Sequence, residues 1–397
     1  MGNNTELFDE IFDEENINEV IKLCRKKKTT PGIDNMRPCE LPKFWDEYGT
    51  YIKNLIRQRN YYPADALEIS IPKGNKKERR NISILTIGDR MIQKAINNVL
   101  KGCVEPYMHD NNFGFRPGRT THDALRRVIQ FLEDGSNYII SLDIEKYFDN
   151  IAHGLLMEIL NRHVEDRSIR VLLKRYIKQG IIRRGCNFRN RKGVIQGAPL
   201  SPLFANIYLN EFDWYMDKHT IRFVRFADDI LLFAETYDEA ERIRDIAEGF
   251  LNERLFLSIN KEKSKISVPN GCDFLGYTLR RTQEGTYALA VCGKNCTKLY
   301  HKIRNLLLVK KMNEDERFRR LGLVHRGWLN YFTMAQKSRM ETFINKIQKW
   351  ELQMLESRKK EMAEPEKMEM ALLNSKEFVL LQDWYEYKVE EGDWKDE

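Results

Sequence analysis

Three carboxylates carry the clearest chemical signal in this sequence. Phe223 to Phe233 reads FVRFADDILLF, two apolar runs with Asp228 and Asp229 side by side between them. Adjacent carboxylates in an apolar setting are costly, because each ion loses hydration and the two repel each other. A divalent cation offsets both terms, whereas an ordinary solvent-exposed Asp-Asp turn avoids them, and the segment alone leaves both readings open. The flanking apolar residues, Ile221, Phe223, Val224 and Phe226 before the pair and Ile230 to Phe233 after it, predict a hairpin with the aspartates at its tip. A third carboxylate, Asp143, closes the short apolar run YIISLD (138–143). A carboxylate at the C-terminal end of a strand can converge with a neighbouring hairpin tip, and oxygen ligands of this kind suit magnesium, which keeps positions free for substrate phosphates.

The elements that would position these groups alternate between helices and short strands. Helical stretches at 6–28 and 44–59 precede a strand, a charged loop (72–80) and a second strand, a hairpin tipped with Lys73, Lys76, Lys77, Arg79 and Arg80. Such a tip could grip phosphates or be a solvated turn. NFGFRPGR (112–119) mixes aromatics, glycines and two arginines, Arg116 and Arg119, and could lie along a nucleic-acid strand or pack as a turn. Helices are predicted at 120–133, from 153 and through 167–178, with a polar Arg-rich turn at 183–192. VIQGAPLSP (194–202) then leads into a helix, and its Gln196 and Gly197 offer an amide edge and close backbone approach. After the aspartate hairpin come a helix at 237–256, a strand-like segment with Lys261, Lys263 and Lys265, and a tight turn between strands at CDFLGY (272–277). A helical C-terminal part holds HRGWLNYF (325–332), whose aromatics fit helix packing or a surface along a helical duplex.

Composition narrows the class. The 397 residues carry a net charge of +7, but residues 361–397 hold 12 Asp or Glu and 4 Lys, which leaves +15 on residues 1–360. A body that basic suits a polyanionic partner as well as a merely soluble surface. Seven scattered cysteines argue against a disulfide framework and for a reducing compartment. Cys272, Cys292, Cys296 and His301 match no common zinc spacing. Neither a signal peptide nor a transmembrane run of about 18 apolar residues is evident, so a cytoplasmic, membrane-free protein is expected.

Taken in order, TPGID, IPK…RRNISI, FGFRPGR, SLDIEKYFDNI, QGAPLSPLFANIYL, FADD, KEKSK, FLGY and RGWLNYF resemble a reverse transcriptase, most closely the bacterial group II intron branch, over about residues 17–335. The resemblance implies an α+β right-hand polymerase with fingers (1–135), a palm (136–153 and 194–290) built on an antiparallel sheet with a ferredoxin-like core, a helical insertion (154–193), a helical, maturase-like thumb (291–358) and an acidic tail (359–397). It implies RNA-directed DNA synthesis by two-metal nucleotidyl transfer, with Asp143, Asp228 and Asp229 holding two Mg²⁺ ions that Mn²⁺ can replace. Asp149 is not a ligand in this scheme. The resemblance further assigns Lys73 and Arg80 to the incoming triphosphate, Phe148 to the steric gate against the 2′-hydroxyl, Gln196 and Gly197 to the nucleotide pocket, and Lys263 to protonation of pyrophosphate. Phe274, Leu275 and Gly276 resemble the primer grip, and Arg116, Arg119 and Arg326 are candidate nucleic-acid contacts. Implied partners are an RNA template, a DNA or RNA primer, dNTPs and a structured cognate RNA in a bacterial cytoplasm. Two features depart from the intron branch: Phe226 stands where tyrosine is usual, and no His-Asn-His endonuclease follows the thumb. Splicing cofactor and phage-defence enzyme with a dedicated non-coding RNA remain as alternative roles.

Overall fold

The apolar runs that flank the aspartates become an edge strand and its central neighbour in a four-stranded sheet. The computed structural model describes residues 6–26, 30–72, 79–309, 311–361 and 368. Lys73, the rest of the basic loop tip at 74–78 and the acidic stretch from 362 onward, Met368 excepted, lie outside the described residues. Helices α1 (Glu6–Ile11), α2 (Glu14–Lys26) and α3 (Leu41–Arg57) precede the antiparallel pair β1 (Ala66–Pro72) and β2 (Arg79–Ile84). Next come α4 (Ile87–Val104), α5 (Thr121–Glu133), β3 (Tyr138–Asp143), α6 (Tyr147–Asn150), α7 (His153–His163) and α8 (Arg167–Ile177). A small hairpin of β4 (Ile181–Arg183) and β5 (Cys186–Phe188) leads to α9 (Ser201–Lys218), the hairpin β6 (Phe223–Phe226) and β7 (Asp229–Ala234), α10 (Tyr237–Glu253) and β8 (Lys265–Ser267). The C-terminal part contains β9 (Asp273–Phe274), β10 (Tyr277–Arg281), β11 (Tyr287–Val291), α11 (Gly293–Leu308), α12 (Glu314–Tyr331) and α13 (Lys337–Glu361). Among the described residues no helix is long and apolar enough to cross a membrane.

The chain divides into two compact units, Met1–Arg127 with Tyr138–Ile266, and Val128–Asn137 with Ser267–Glu397. In the first unit a sheet runs in the order β6-β7-β3-β8, and α10 packs on β3 and β7 with α9 beside it. From Ile230 to Ala234 every residue of β7 is buried, which is why the sequence there is continuously apolar rather than alternating. Helix α9 is buried along most of its length and starts on Pro202, whose fixed φ suits the first turn. Helix α4 is tied down at Asp89, whose buried carboxylate accepts from Tyr61 Oη (2.7 Å), Tyr176 Oη (3.1 Å), Thr86 Oγ1 (2.8 Å) and the Ala64 N–H (3.1 Å). A second sheet, ordered β2-β1-β4-β5, contains a correction to the sequence reading, since the polar stretch 183–192 includes strand. All three β5 residues are exposed, so no alternation of apolar and polar residues marks it.

The second unit joins the β11-β10-β9 sheet to α11–α13. Between β9 and β10 the turn residues Leu275 and Gly276 both have positive φ, 47° and 85°, as a two-residue hairpin with the strands' own twist requires. Leucine pays for this conformation with about 1 kcal/mol, and the turn is braced from α12: Tyr331 Oη donates to the Leu275 carbonyl at 2.8 Å, and Tyr277 Oη donates to the Tyr331 carbonyl at 2.5 Å. FLGY and LNYF are therefore one structural lock. The aromatics of HRGWLNYF serve helix packing, with Trp328 against Phe332 at 4.8 Å and Phe343 at 5.4 Å. Cys292 donates its thiol hydrogen to Asp273 at 3.1 Å.

Arg317 of α12, with no exposed side-chain surface, donates to the carbonyls of Leu306 and Val309 at the end of α11 and to Glu314, which also accepts from Arg358 at 2.6 Å. It satisfies carbonyls that a helix terminus leaves without partners. Arg317→Met is expected to destabilise the second unit by about 3 kcal/mol, because Glu314 loses one of its two guanidinium partners and the carbonyls lose theirs. Urea unfolding of the full chain checks this through an earlier transition.

Candidate active site

The hairpin β6–β7 turns through Ala227 and Asp228, with Phe226 paired to Asp229. Ala227 has φ +59°, an unfavourable region for a residue with a side chain. Asp143, the last residue of β3, stands opposite Asp229 in the β3–β7 register, so three carboxylates gather at one end of the sheet, with Asp228 and Asp229 exposed. Partial burial, reinforced by the charges of Asp228 and Asp143, pushes the Asp229 carboxyl up to about 6. A turn from Asn260 clasps the Asp143 backbone: the Asn260 N–H donates to its carbonyl at 2.7 Å, and its own N–H donates to Ser264 Oγ at 3.1 Å. Lys263 belongs to that turn rather than to a strand, and its ammonium lies 3.5 Å from the Asp143 carboxylate. Three carboxylates at one sheet end, with a lysine drawn to one of them, make an oxygen-only donor set that fits a hard divalent cation. Among the described residues no three acidic, His or Cys side chains yet converge as a ready metal cage.

Behind the tip lies a network that sequence reasoning missed. Arg225, on β6, is fully buried and pairs with the equally buried Asp213 of α9, its Nε 2.7 Å from Oδ1. Its Nη1 also donates to Asn206 Oδ1 (2.8 Å) and to the Ala227 carbonyl (3.1 Å) in the catalytic turn. Asn206 in turn accepts from Asn112 Nδ2 at 3.0 Å and donates to the Gly114 carbonyl at 2.9 Å. The loop 111–113 runs along β6, with the Phe113 N–H donating to the Arg225 carbonyl at 2.8 Å and the Arg225 N–H to the Asn111 carbonyl at 2.9 Å. Gly114 presses so closely on the turn that a Cβ there would sit 2.2 Å from the Ala227 nitrogen. The one signal in sequence was an arginine inside an apolar strand.

A second group of predicted site residues is brought together by β2, α6 and the segment before α9. Arg80 Nε donates to Gln196 Oε1 at 3.2 Å, and Gln196 Nε2 donates to Asp149 Oδ1 at 3.2 Å. The Gln196 carbonyl accepts from the Ser83 N–H at 2.9 Å, and Gly197 (φ +103°) lies against Ile82 and Ser83, where a side chain would be crowded to 3.0 Å. Phe148 is half-buried beside Tyr147, and its carbonyl accepts from the Val194 N–H at 2.7 Å. Arg80, Phe148, Gln196 and Gly197 thus share one region, with Asp149 linking in as a hydrogen-bond acceptor.

Arg116 requires correction as a nucleic-acid contact. Its side chain is 4% exposed and fully engaged, donating to Glu105 (2.7 and 2.9 Å) and to the carbonyls of His109 (2.6 Å) and Asn112 (2.8 Å). It braces the loop that supports the hairpin. Arg119 is more open, pairing with Asp110 at 2.7 Å. Phe274, Leu275, Gly276 and the half-buried Arg326 all belong to the second unit, Phe274 being buried and the next two forming the braced turn.

Residues 71–279 match the family model described as reverse transcriptase (RNA-dependent DNA polymerase), and residues 296–364 match the group II intron maturase-specific domain. Protein YkfC of Escherichia coli (strain K12) is 31% identical over 300 residues, covering 66% of this chain and 78% of that protein. The group II intron-encoded protein LtrA of Lactococcus lactis subsp. cremoris is 32% identical over 190 residues, 47% of this chain but only 32% of LtrA. A solved partial Cas6-RT-Cas1–Cas2 complex aligns with a TM-score of 0.40 at 21% identity, over 62% of this chain and 42% of that one.

In divalent-free buffer, raising the pH from about 4 to about 6 is expected to lower the melting temperature through Asp229. The unfolded carboxyl releases its proton near its ordinary value, while the folded one holds it to the top of that window. Asp229→Asn should flatten this slope, and magnesium at neutral pH should raise the melting temperature of the native protein more than that of the variant. An unchanged slope in the variant would show that a group other than Asp229 carries the pH dependence.

Proposed function

Because the chain belongs to the reverse transcriptase (RNA-dependent DNA polymerase) family, we propose that it extends a primer 3′-hydroxyl with deoxynucleotides on an RNA template. The register that sets Asp143 opposite Asp229, with Asp228 beside them at the hairpin tip, carries this reading. When bound, two magnesium ions, or manganese in their stead, on Asp143, Asp228 and Asp229 would acidify the 3′-hydroxyl and neutralise charge on the departing pyrophosphate.

The chain's own side chains supply position and selectivity. Arg80, steadied by Gln196, offers its guanidinium to the triphosphate, with Lys73 as its companion in the same role. The Phe148 ring bars a 2′-hydroxyl and favours deoxynucleotides. Lys263, within reach of Asp143, gives a proton to pyrophosphate as it leaves. In a right-hand organisation the β2-β1-β4-β5 sheet serves as fingers, the β6-β7-β3-β8 sheet as palm and α11–α13 as thumb. The turn at Phe274, Leu275 and Gly276 is suited to hold the primer, and Arg119 and Arg326 to meet nucleic-acid phosphates. The maturase-specific match at 296–364 favours a second role, in which the C-terminal unit binds a structured RNA and assists its splicing.

Asp228→Ala with Asp229→Ala is expected to abolish magnesium-dependent dNTP incorporation on a primed RNA template; retained incorporation would sink the polymerase assignment. Splicing of a cognate intron should survive that double variant and weaken with Arg326→Ala. Phe148→Ala is expected to relax discrimination against ribonucleotides by about 10- to 100-fold, measured as the ratio of kcat/KM for dNTP and rNTP.

A further inference from the structure

A cavity of about 1010 Å³ opens between α7, α8 and the β4–β5 hairpin, in the first unit. None of the catalytic or nucleotide-side residues lines it. Its wall includes Lys174, Lys178, Arg189 and Arg191, with Asp65 as the sole acidic lining residue. Among the described residues no carboxylate pairs with these four cations within 4.0 Å. Their neighbours behave otherwise: Arg162 is held by Glu158 and Glu211, and Arg183 by Glu68. Unpaired like charges around a concave wall repel one another and focus a positive field into it, which a solvated convex surface does not do.

Phe188, at the end of the edge strand β5, is 48% exposed at this wall, with the Arg183 guanidinium 5.5 Å from its ring centroid. An open aromatic face among cations is the combination that holds single-stranded nucleic acid, because every base can stack and every linkage carries a phosphate. The basic segment is also fixed in place. Asn190 Nδ2 donates to the carbonyls of Ile177 and Gly193, both at 3.1 Å, so Arg189 and Arg191 are anchored against the end of α8. Asp65 would repel phosphate, and its presence suits a ligand that brings a hydroxyl donor, as ribose does. The volume lies at the upper end of pockets that enclose small ligands, enough for an extruded nucleotide.

We propose that this cavity is a second nucleic-acid site that takes a single-stranded RNA segment, one base stacked on Phe188, flanking phosphates on Lys174, Lys178, Arg189 and Arg191, and a 2′-hydroxyl on Asp65. The site works independently of polymerisation and would anchor an RNA away from the catalytic carboxylates. The test uses the full chain preloaded with excess unlabelled RNA–DNA template–primer, so that the catalytic region is occupied, and a fluorescein-labelled 12-nucleotide oligouridylate as probe. Lys178→Glu with Arg189→Glu is expected to weaken probe binding at least 10-fold and to flatten its salt dependence. Phe188→Ala should weaken it by about 5- to 100-fold, the range for loss of one stacked base. Asp65→Ala should narrow the preference for the RNA probe over the deoxy oligomer, since the deoxy oligomer loses only a repulsion and the RNA probe also loses a hydrogen bond. Native rates of dNTP incorporation in the same variants would show that the chain is folded; should native protein incorporate nothing, the polymerase reading fails while the probe still reports on the cavity. Probe binding unaltered by the charge reversals, equal binding of the deoxy oligomer, or equal competition by polyglutamate would overturn the proposal.

Discussion

The buried ion pair between Arg225 and Asp213 is the interaction on which the aspartate-bearing end of the sheet depends. Neither side chain has exposed surface, so both have surrendered hydration, and such a pair is worth its desolvation only when its remaining hydrogen-bonding capacity is met. Here it is met: the guanidinium also reaches Asn206 and the carbonyl of Ala227. The pair adds little net stability by itself. Its consequence is geometric, because α9, β6 and the 111–114 loop share one set of directional bonds, and the turn between Phe226 and Asp229 has no freedom to relax away from them.

That rigidity answers an electrostatic problem. Burial, together with repulsion among three carboxylates at one sheet end, raises the proton affinity of Asp229. Without the network below, the hairpin tip would open to separate the charges. With it, the repulsion stays stored in the folded protein until a cation relieves it, and the Lys263 ammonium near Asp143 supplies partial relief meanwhile.

Much of this was legible in the sequence because burial on both faces leaves an unmistakable trace. YIISLD and FVRFADDILLF were expected as a strand and a hairpin whose carboxylates could converge, and the β3–β7 register brings them to one end of the sheet. What escaped notice were features without periodicity. The β4–β5 hairpin is short and wholly exposed at β5, so its residues read as a polar turn. Arginine types are also ambiguous in one dimension: Arg116 looked like a phosphate ligand, and only the folded loop reveals Glu105 and two carbonyls closing around it. Arg225 was the opposite case, an ion in an apolar run whose partner Asp213 lies one helix earlier. The strands at 273–291, expected to extend the palm, group with the C-terminal helices because the FLGY turn is bonded to Tyr331.

Backbone strain follows the same map. Ala227 precedes the aspartate pair, Lys146 (φ +43°) leads from Asp143 into the helix that bears Phe148, and Phe115 (φ +58°) follows the glycine that presses on Ala227. Each such residue costs on the order of 1 kcal/mol and persists only where surrounding contacts over-determine it. At Ala227 those contacts include the hydrogen bond that Arg225 donates to its carbonyl. Strain and buried charge thus meet in one arrangement: the bonds that hold the turn fix the backbone register of the carboxylates, and only their side chains are left to adjust to a ligand.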